Sequence, residues 1–279
     1  MKNVIKFSAL AIMVILIAAS CKKLDRPALG EYPVDNNPPG GPLKFYAAFD
    51  GTSASPVMNA VDSLKANFPS SNPLASVDGI SGKAVQGAAG LAINYPSAND
   101  LKSATSFTIA FWFKRAVNDK TEFFFSFKDD TYGWSHSSLF MMVEHGTATE
   151  ATVKVGVMDQ WMEFPDANKL QKPMLDGNWH HWAVVYDETT SKMSYYFDGE
   201  IVANPPASAT DVLKDGNPRG KLDLTKSTNF VIGGWNKHAN LDGPTDDWVG
   251  AFAGSMDQFR IYGTVLTGAE INELFTRKL

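Results

Sequence analysis

The feature that most constrains this chain is the run Phe107-Thr-Ile-Ala-Phe-Trp-Phe-Lys114. Phe107, Ile109, Phe111 and Phe113 fall on one side of an extended backbone. Thr108, Ala110, Trp112 and Lys114 fall on the other. A period of two is that of a β-strand, and aromatic and branched side chains suit its pleated surface. Residues 122–128 repeat the pattern, with Phe123, Phe125 and Phe127 expected on one face. Runs at 139–143, 153–157, 180–186, 193–197, 230–235 and 256–262 follow. Polar turns separate them: Asp129-Asp130, Asp176-Gly177-Asn178, Asp198-Gly199 and Asp215-Gly216-Asn217-Pro218. Many short strands between polar turns predict an all-β chain, a two-sheet sandwich. Before residue 265 only 60–66 suggests a short helix. At the end, Thr267-Gly-Ala-Glu270 has the form of a capping box, and Ile271, Leu274 and Phe275 share one helical face. A short C-terminal helix packed on the sandwich is expected.

The first 21 residues follow another logic. Lys2 and Lys6 precede an apolar block at 7–19 and then Ser20-Cys21, the arrangement of a secretory signal. Ala18-Ala19-Ser20-Cys21 resembles the lipobox of bacterial lipoproteins, whose cysteine becomes the lipidated first residue. Cys21 is the only cysteine in the sequence, so as an anchor it leaves no internal disulfide. A plain signal peptide, or a signal anchor with an incidental cysteine, is the competing reading. Residues 22–42 are dense in proline and glycine, as in an extended tether, or in a short arm packed on the domain. The expected organisation is a signal at 1–20, a lipidated cysteine and tether at 21–42, and one domain at 43–279. The net charge is −5 with no basic stripe, so nucleic acid is not an expected partner. No later apolar run reaches the ~18 residues of a membrane-spanning helix.

The segments together resemble LamG-like domains with the concanavalin A-like jelly roll. The resemblance is carried by Phe107–Lys114, by Asp176-Gly-Asn-Trp-His-His-Trp-Ala-Val-Val-Tyr-Asp187 and by Tyr196-Phe-Asp-Gly-Glu200. Phe230-Val-Ile-Gly-Gly234, Phe252-Ala-Gly-Ser-Met-Asp-Gln-Phe-Arg-Ile-Tyr262 and Leu266–Ile271 continue it. Ala48-Phe-Asp-Gly51 and Gly79–Gly87 fit the opening of such domains. The ordered set spans about 50–275, and surface lipoproteins of Bacteroidetes often carry such domains, which implies the cell envelope, at the outer membrane.

In the strand 180–186, Trp179, His181, Ala183 and Val185 share one side, and His180, Trp182, Val184 and Tyr186 the other. Large groups on both sides predict a central strand covered on both faces, with Trp179 and Trp182 in the core. His180 and His181 then read as hydrogen-bonded core residues. The spacing of Met256 and Phe259 breaks strict alternation, and a bulge at Asp257-Gln258 would return both to the core. The resemblance implies one structural Ca2+ where first and last strands meet, with Asp257 and Asp50 as ligands. Gln258 stands where such domains often have a second aspartate.

Related jelly rolls also include glycoside hydrolases, marked by carboxylates alternating on one strand. Retaining hydrolysis needs two carboxyl groups about 5–5.5 Å apart. No such motif occurs here: Asp129-Asp130 and Asp246-Asp247 are adjacent pairs, read as solvated turns, and Glu122, Glu144, Glu150 and Glu163 stand singly. Carboxylates from separate strands remain possible partners. No nucleophile elbow surrounds Ser135–Ser138, and no His-x-x-x-His pair occurs.

Seven tryptophans supply stacking surfaces. Trp112, opposite the phenylalanines, is expected to look onto an open sheet face. Trp134, Trp161, Trp235 and Trp248 lie beside polar residues in expected loops, where recognition groups are commonly carried. With Asn236, His238, Asn240 and Asp247 they form the candidate ligand site. The expected function is non-catalytic glycan binding by a tethered lipoprotein. A protein-binding or adhesion module is the alternative, and a glycoside hydrolase the third reading.

Overall fold

The computed structural model describes residues 41–50, 59–61, 74–97 and 99–278. Cys21, the signal, nearly all of the tether and most of 60–66 lie outside these residues. The strands in chain order are β1 (Leu43–Ala47), β2 (Ala75–Asp78), β3 (Lys83–Gln86), β4 (Ile93–Tyr95), β5 (Phe107–Ala116) and β6 (Glu122–Lys128). Then come β7 (Ser137–Gly146), β8 (Ala151–Val157), β9 (Gln160–Phe164), β10 (Asp176–Asp187), β11 (Lys192–Phe197) and β12 (Glu200–Ile201). The short hairpin β13 (Leu213–Lys214) and β14 (Asn217–Pro218) precedes β15 (Phe230–Ile232), β16 (Gly250–Ala251) and β17 (Ser255–Tyr262). Helices are a single turn, α1 (Ala207–Thr210), and the terminal α2 (Gly268–Arg277).

Two large sheets result. One has the order β12-β11-β10-β5-β17-β3-β2, with β1 also on β17. The other has the order β4-β15-β6-β7-β8-β9, with β16 running parallel to β6. The remaining pairings in both are antiparallel. The core between them follows the alternation of β5: Phe107, Ile109, Phe111 and Phe113 meet Phe124, Phe125 and Phe127 of β6 and Leu139, Met141 and Val143 of β7. Phe111 stacks on Phe259 of β17 at 4.9 Å. Met256 and Phe259 both reach this core because the β5–β17 register shifts between Asp257 and Arg260. Gln258 takes φ 48° there, so the bulge expected from the spacing is present.

β10 is covered on both faces, as its composition predicts. Trp182, Val184 and Tyr186 enter the main core, whereas Ala183 and Val185 pack with Ala110 under Ile271 of α2. Trp179 is only half-buried, because it precedes the stretch that the helix covers. Helix α2 begins with the expected box: Thr267 Oγ1 accepts from Glu270 N at 3.3 Å, and Glu270 Oε2 accepts from Thr267 N at 2.7 Å. Phe275 stacks on Trp112 at 5.4 Å with 22° between the planes. Trp112 therefore does not face an open sheet surface: the helix buries it. No helix among the described residues is long and apolar enough to cross a membrane.

His180 and His181 are both buried, with opposite electrostatics. His180 Nδ1 lies 2.8 Å from Asp198 Oδ2, and its Nε2 lies 3.1 Å from Asp176 Oδ1. Burial opposes the charged ring, but the two carboxylates outweigh it and raise its pKa above the ordinary value. His181, under Phe275 and beside Trp112, is pushed down to about 3 by burial, with Arg260 adding to the effect. One ring ties a strand to a hairpin through charge; the other is neutral packing.

Candidate functional site

The site is built on the outer face of the β6–β9 sheet. The β6–β7 register shifts between Phe123 and Phe125. That irregularity sends Phe124 and Phe125 into the main core and turns Phe123 outward. The simple alternation expected for β6 thus fails at Phe123, and the failure creates an apolar floor. Phe123, Phe140, Met142, Trp235 and Val249 form a buried cluster on this face, with Trp161 against it. Phe123 meets Trp235 at 4.1 Å and Phe140 meets Trp235 at 4.6 Å.

The four candidate tryptophans, up to 114 positions apart in sequence, come together here. Trp134 stacks on Trp248 at 5.5 Å and 13°, and lies 5.7 Å from Trp161 at 33°. Trp161 belongs to strand β9 rather than to a loop. Trp235 is fully buried and serves as the floor, 5.3 Å from Trp134 and near-perpendicular to it. Trp134 and Trp248 remain 42% and 45% exposed. Trp134 touches both Trp161 and Trp248, and Trp248 keeps exposed aromatic surface of its own. It borders a cleft of about 710 Å3 whose polar lining includes Asn118, Lys120, Thr121, Lys237 and Asp247. A smaller recess of about 260 Å3 lies beside Trp134 and Trp161.

Hydrogen bonds separate the framing residues from those open to a ligand. Trp235 Nε1 donates to Ser135 O at 3.0 Å. Asn236 is buried; its Oδ1 accepts from Ser126 Oγ at 2.9 Å and its Nδ2 donates to His136 O at 2.8 Å. His238 is also buried and its Nδ1 accepts from Trp235 N at 3.0 Å. Burial, reinforced by Lys237, lowers its pKa to about 4, so the imidazole is neutral at pH 7. Both side chains are occupied in fixing the turn that presents Trp235. Asn240 is exposed and closes the turn Asn236–Ala239 at φ 57°. Asp247 is exposed on the cleft, whereas Asp246 Oδ2 accepts from Trp134 Nε1 at 3.0 Å. Sequence reasoning missed Asn118, Lys120 and Thr121, which reach the cleft from the β5–β6 loop. Their only signal was a polar stretch between two strands.

Asp129 differs from its expected role. It is buried and accepts from Thr131 N at 2.9 Å, while Asp130, Asp246 and Asp247 are exposed. Two carboxylates from separate strands do approach each other on this face. Lys154 Nζ lies 2.8 Å from Glu144 Oε1 and 3.3 Å from Glu163 Oε2, and 5.6 Å from the Trp161 ring centroid. Burial disfavours the ammonium, but the two glutamates raise its pKa above the ordinary value. The Lys154 ammonium is thus ion-paired to a carboxylate on each neighbouring strand.

At the opposite sheet, Asp50 and Asp257 converge on the β2–β3 turn. Ile80 N donates to Asp257 Oδ2 at 2.8 Å, and Lys83 N donates to Asp50 Oδ1 at 2.8 Å. Asp257 lies in the bulge between the two segments of β17 that pair with β3 and β1. Its side chain is buried and its Oδ1 has no hydrogen-bond partner. Burial pushes its pKa up to about 6, with the neighbouring Asp50 charge acting in the same direction against three backbone donors. A buried, unpaired carboxylate oxygen beside a second carboxylate suits the hard-oxygen coordination of calcium.

Among curated proteins, none matches this chain. Solved structures share the fold. Domain 4 of AbnA, a GH43 extracellular arabinanase from Geobacillus stearothermophilus, solved with arabinotriose, is 19% identical over 83% of this chain and 97% of that one, with TM-score 0.53. A Trypanosoma rangeli sialidase solved with 2,3-difluorosialic acid is 14% identical over 85% of this chain, with TM-score 0.54. This chain spans only 33% of that sialidase. At such identities the likeness is one of fold. The family model Laminin_G_3 matches residues 87–272, from the end of β3 into helix α2. With that match covering well over half its length, the chain belongs to the Concanavalin A-like lectin/glucanases superfamily.

Proposed function

We propose that this protein is a non-catalytic carbohydrate-binding module, held at the cell envelope by a lipid on Cys21 at the outer membrane. The observation that carries the binding role is the exposed face of Trp248 against a polar-lined cleft, backed by Trp134, Trp161 and Trp235. Sugar rings offer apolar C–H faces to an indole plane and hydroxyls to polar neighbours. Trp248 supplies the plane, and Asn118, Lys120, Lys237 and Asp247 supply donors and acceptors. Asn236 acts by fixing the turn, and His238, which helps fix it, also lines the cleft. The complex of the arabinanase domain with arabinotriose supports a sugar ligand for this fold. Asp50 and Asp257 would hold one Ca2+ that staples the β1–β17 end of the sheet, away from the cleft.

The test is affinity-gel or glycan-array binding by the wild type and by Trp248→Ala and Asp247→Ala. The mutated side chains are exposed, so both variants should fold. About five- to thirtyfold weaker binding is expected for Trp248→Ala, since an aromatic platform contributes on the order of 1–2 kcal/mol. Binding at wild-type strength in both would remove the site. A hydrolase would instead release reducing ends from a bound glycan and lose that release in Glu144→Gln and Glu163→Gln. A protein ligand would survive glycosidase treatment of the partner.

A further inference from the structure

A cluster of side chains with metal-ligating donor atoms lies beside the tryptophan stack, at the β6–β7 turn rather than at the β2–β3 turn that Asp50 and Asp257 reach. We propose that Asp130, His136 and Asp242 form a site for a divalent transition-metal ion of the zinc class. Their three donor atoms lie within 4.8 Å of one another. His136 Nδ1 is 2.9 Å from Asp130 Oδ1 and 3.8 Å from Asp242 Oδ2. Metal–ligand bonds of about 2.0–2.2 Å in a tetrahedron place donor atoms about 3.3–3.5 Å apart. The present spacings bracket that value, so modest side-chain rotation completes the site. All three side chains are partly open to solvent, which leaves room for a water as fourth ligand.

The donor types select the ion. An imidazole nitrogen with two carboxylates suits zinc and its neighbours, whereas calcium takes oxygen alone. The imidazole is held on a rigid base: His136 O accepts from Asp129 N at 2.9 Å and from Asn236 Nδ2 at 2.8 Å. The Lys128 ammonium also reaches Asp130, which reduces the negative charge of the trio and limits its affinity.

The site joins two segments that the tryptophan stack depends on. Asp130 and His136 flank Trp134 in the β6–β7 turn, and Asp242 lies in the loop that carries Trp248. The direct contacts between the turn and that loop include the Trp134–Trp248 stack and the bond from Trp134 Nε1 to Asp246. An ion shared by Asp130, His136 and Asp242 would clip the turn to the loop and hold the two rings in register. This role for the metal does not require that the ligand be a glycan.

The experiment is calorimetric titration of the full chain, without a polyhistidine tag, with Zn2+ in buffer containing excess Ca2+ to saturate any all-oxygen site. Co2+ serves as a spectroscopic probe of the ligand set. The expected result is one Zn2+ site, visible Co2+ absorption bands, and a change in tryptophan emission from Trp134. His136→Ala and Asp242→Asn should each weaken Zn2+ at least about tenfold and abolish the Co2+ bands. His145→Ala, which alters the separate exposed His145–Asp166 pair, should leave both unchanged. Equal melting temperatures without metal confirm that the variants fold. The proposal is overturned if Zn2+ gives no heat and Co2+ no bands, the trio then being an ion-pair cluster only. Binding that is indifferent to both His136→Ala and Asp242→Asn also overturns it.

Discussion

Replacing Gly156 by alanine should damage the candidate site without touching any tryptophan. Gly156 of β8 faces Phe140 of β7 across the ladder, and the Phe140 ring lies over it. A Cβ at position 156 would fall inside the contact distance of three ring atoms, Cδ1, Cε1 and Cζ. Carbon atoms settle at about 3.5–4.0 Å, so the ring would have to retreat by more than about 1 Å. It has little room to do so. Phe140 is 1% exposed and is boxed in by Trp235 at 4.6 Å, Trp161 at 5.1 Å and Phe123 at 6.2 Å. Overpacking of this kind costs about 1–3 kcal/mol. In a domain of this size each kcal/mol lowers Tm by about 2–4 °C, so a cost near 2 kcal/mol gives a fall of about 4–8 °C. The displaced ring must also shift Trp161 and Trp235, which changes tryptophan emission and weakens ligand binding at Trp248. Shrinking the ring should relieve the clash. Gly156→Ala with Phe140→Leu should be more stable than the sum of the single changes, with a coupling of about 1 kcal/mol or more. Thermal unfolding and fluorescence of the four proteins decide the matter. An unchanged Tm and emission spectrum in Gly156→Ala would refute the packing argument, as would strict additivity in the double variant.

Two further outcomes follow from buried charges. The His180 pKa is raised in the folded state, so its two ion pairs contribute stability that is fully present below about pH 6.5 and lost as pH rises through the folded value. His180→Gln should therefore flatten the decline in Tm on the alkaline side of pH 6.5, and a variant profile parallel to wild type would disprove the linkage. Calcium should raise the Tm of the wild type by pairing with the orphaned Asp257 Oδ1, and chelation should reverse the gain. Asp257→Ala should abolish the response to Ca2+; an equal response in that variant would place any bound calcium elsewhere.

Much of the fold was legible because a strand has a fixed period. The alternation at 107–113 and the two-sided burden of 180–186 named the residues that fill the core and the outer face of one sheet. The capping box at Thr267–Glu270 announced the terminal helix, and the spacing of Met256 and Phe259 announced the bulge. Strands β2, β3, β4, β9 and the two-residue pairs were not legible. They are short, and what holds them is a neighbour's edge rather than their own composition.

The candidate site divides along the same line. That the chain carries several tryptophans among polar groups can be read from residue order alone. That Trp134, Trp161, Trp235 and Trp248 share one face emerges on folding, because register and loop paths set distances between segments that lie far apart in the chain. Folding also decides which are accessible: Trp248 borders the cleft, Trp235 is the floor, and Trp112 is covered by helix α2. Phe123 turned outward because a local shift in register reverses the facing of a strand, a change that alternation alone cannot reveal. Asn236 and His238 read as ligand groups in sequence, yet folding buries them, and a buried polar group must spend its hydrogen bonds on the protein that surrounds it.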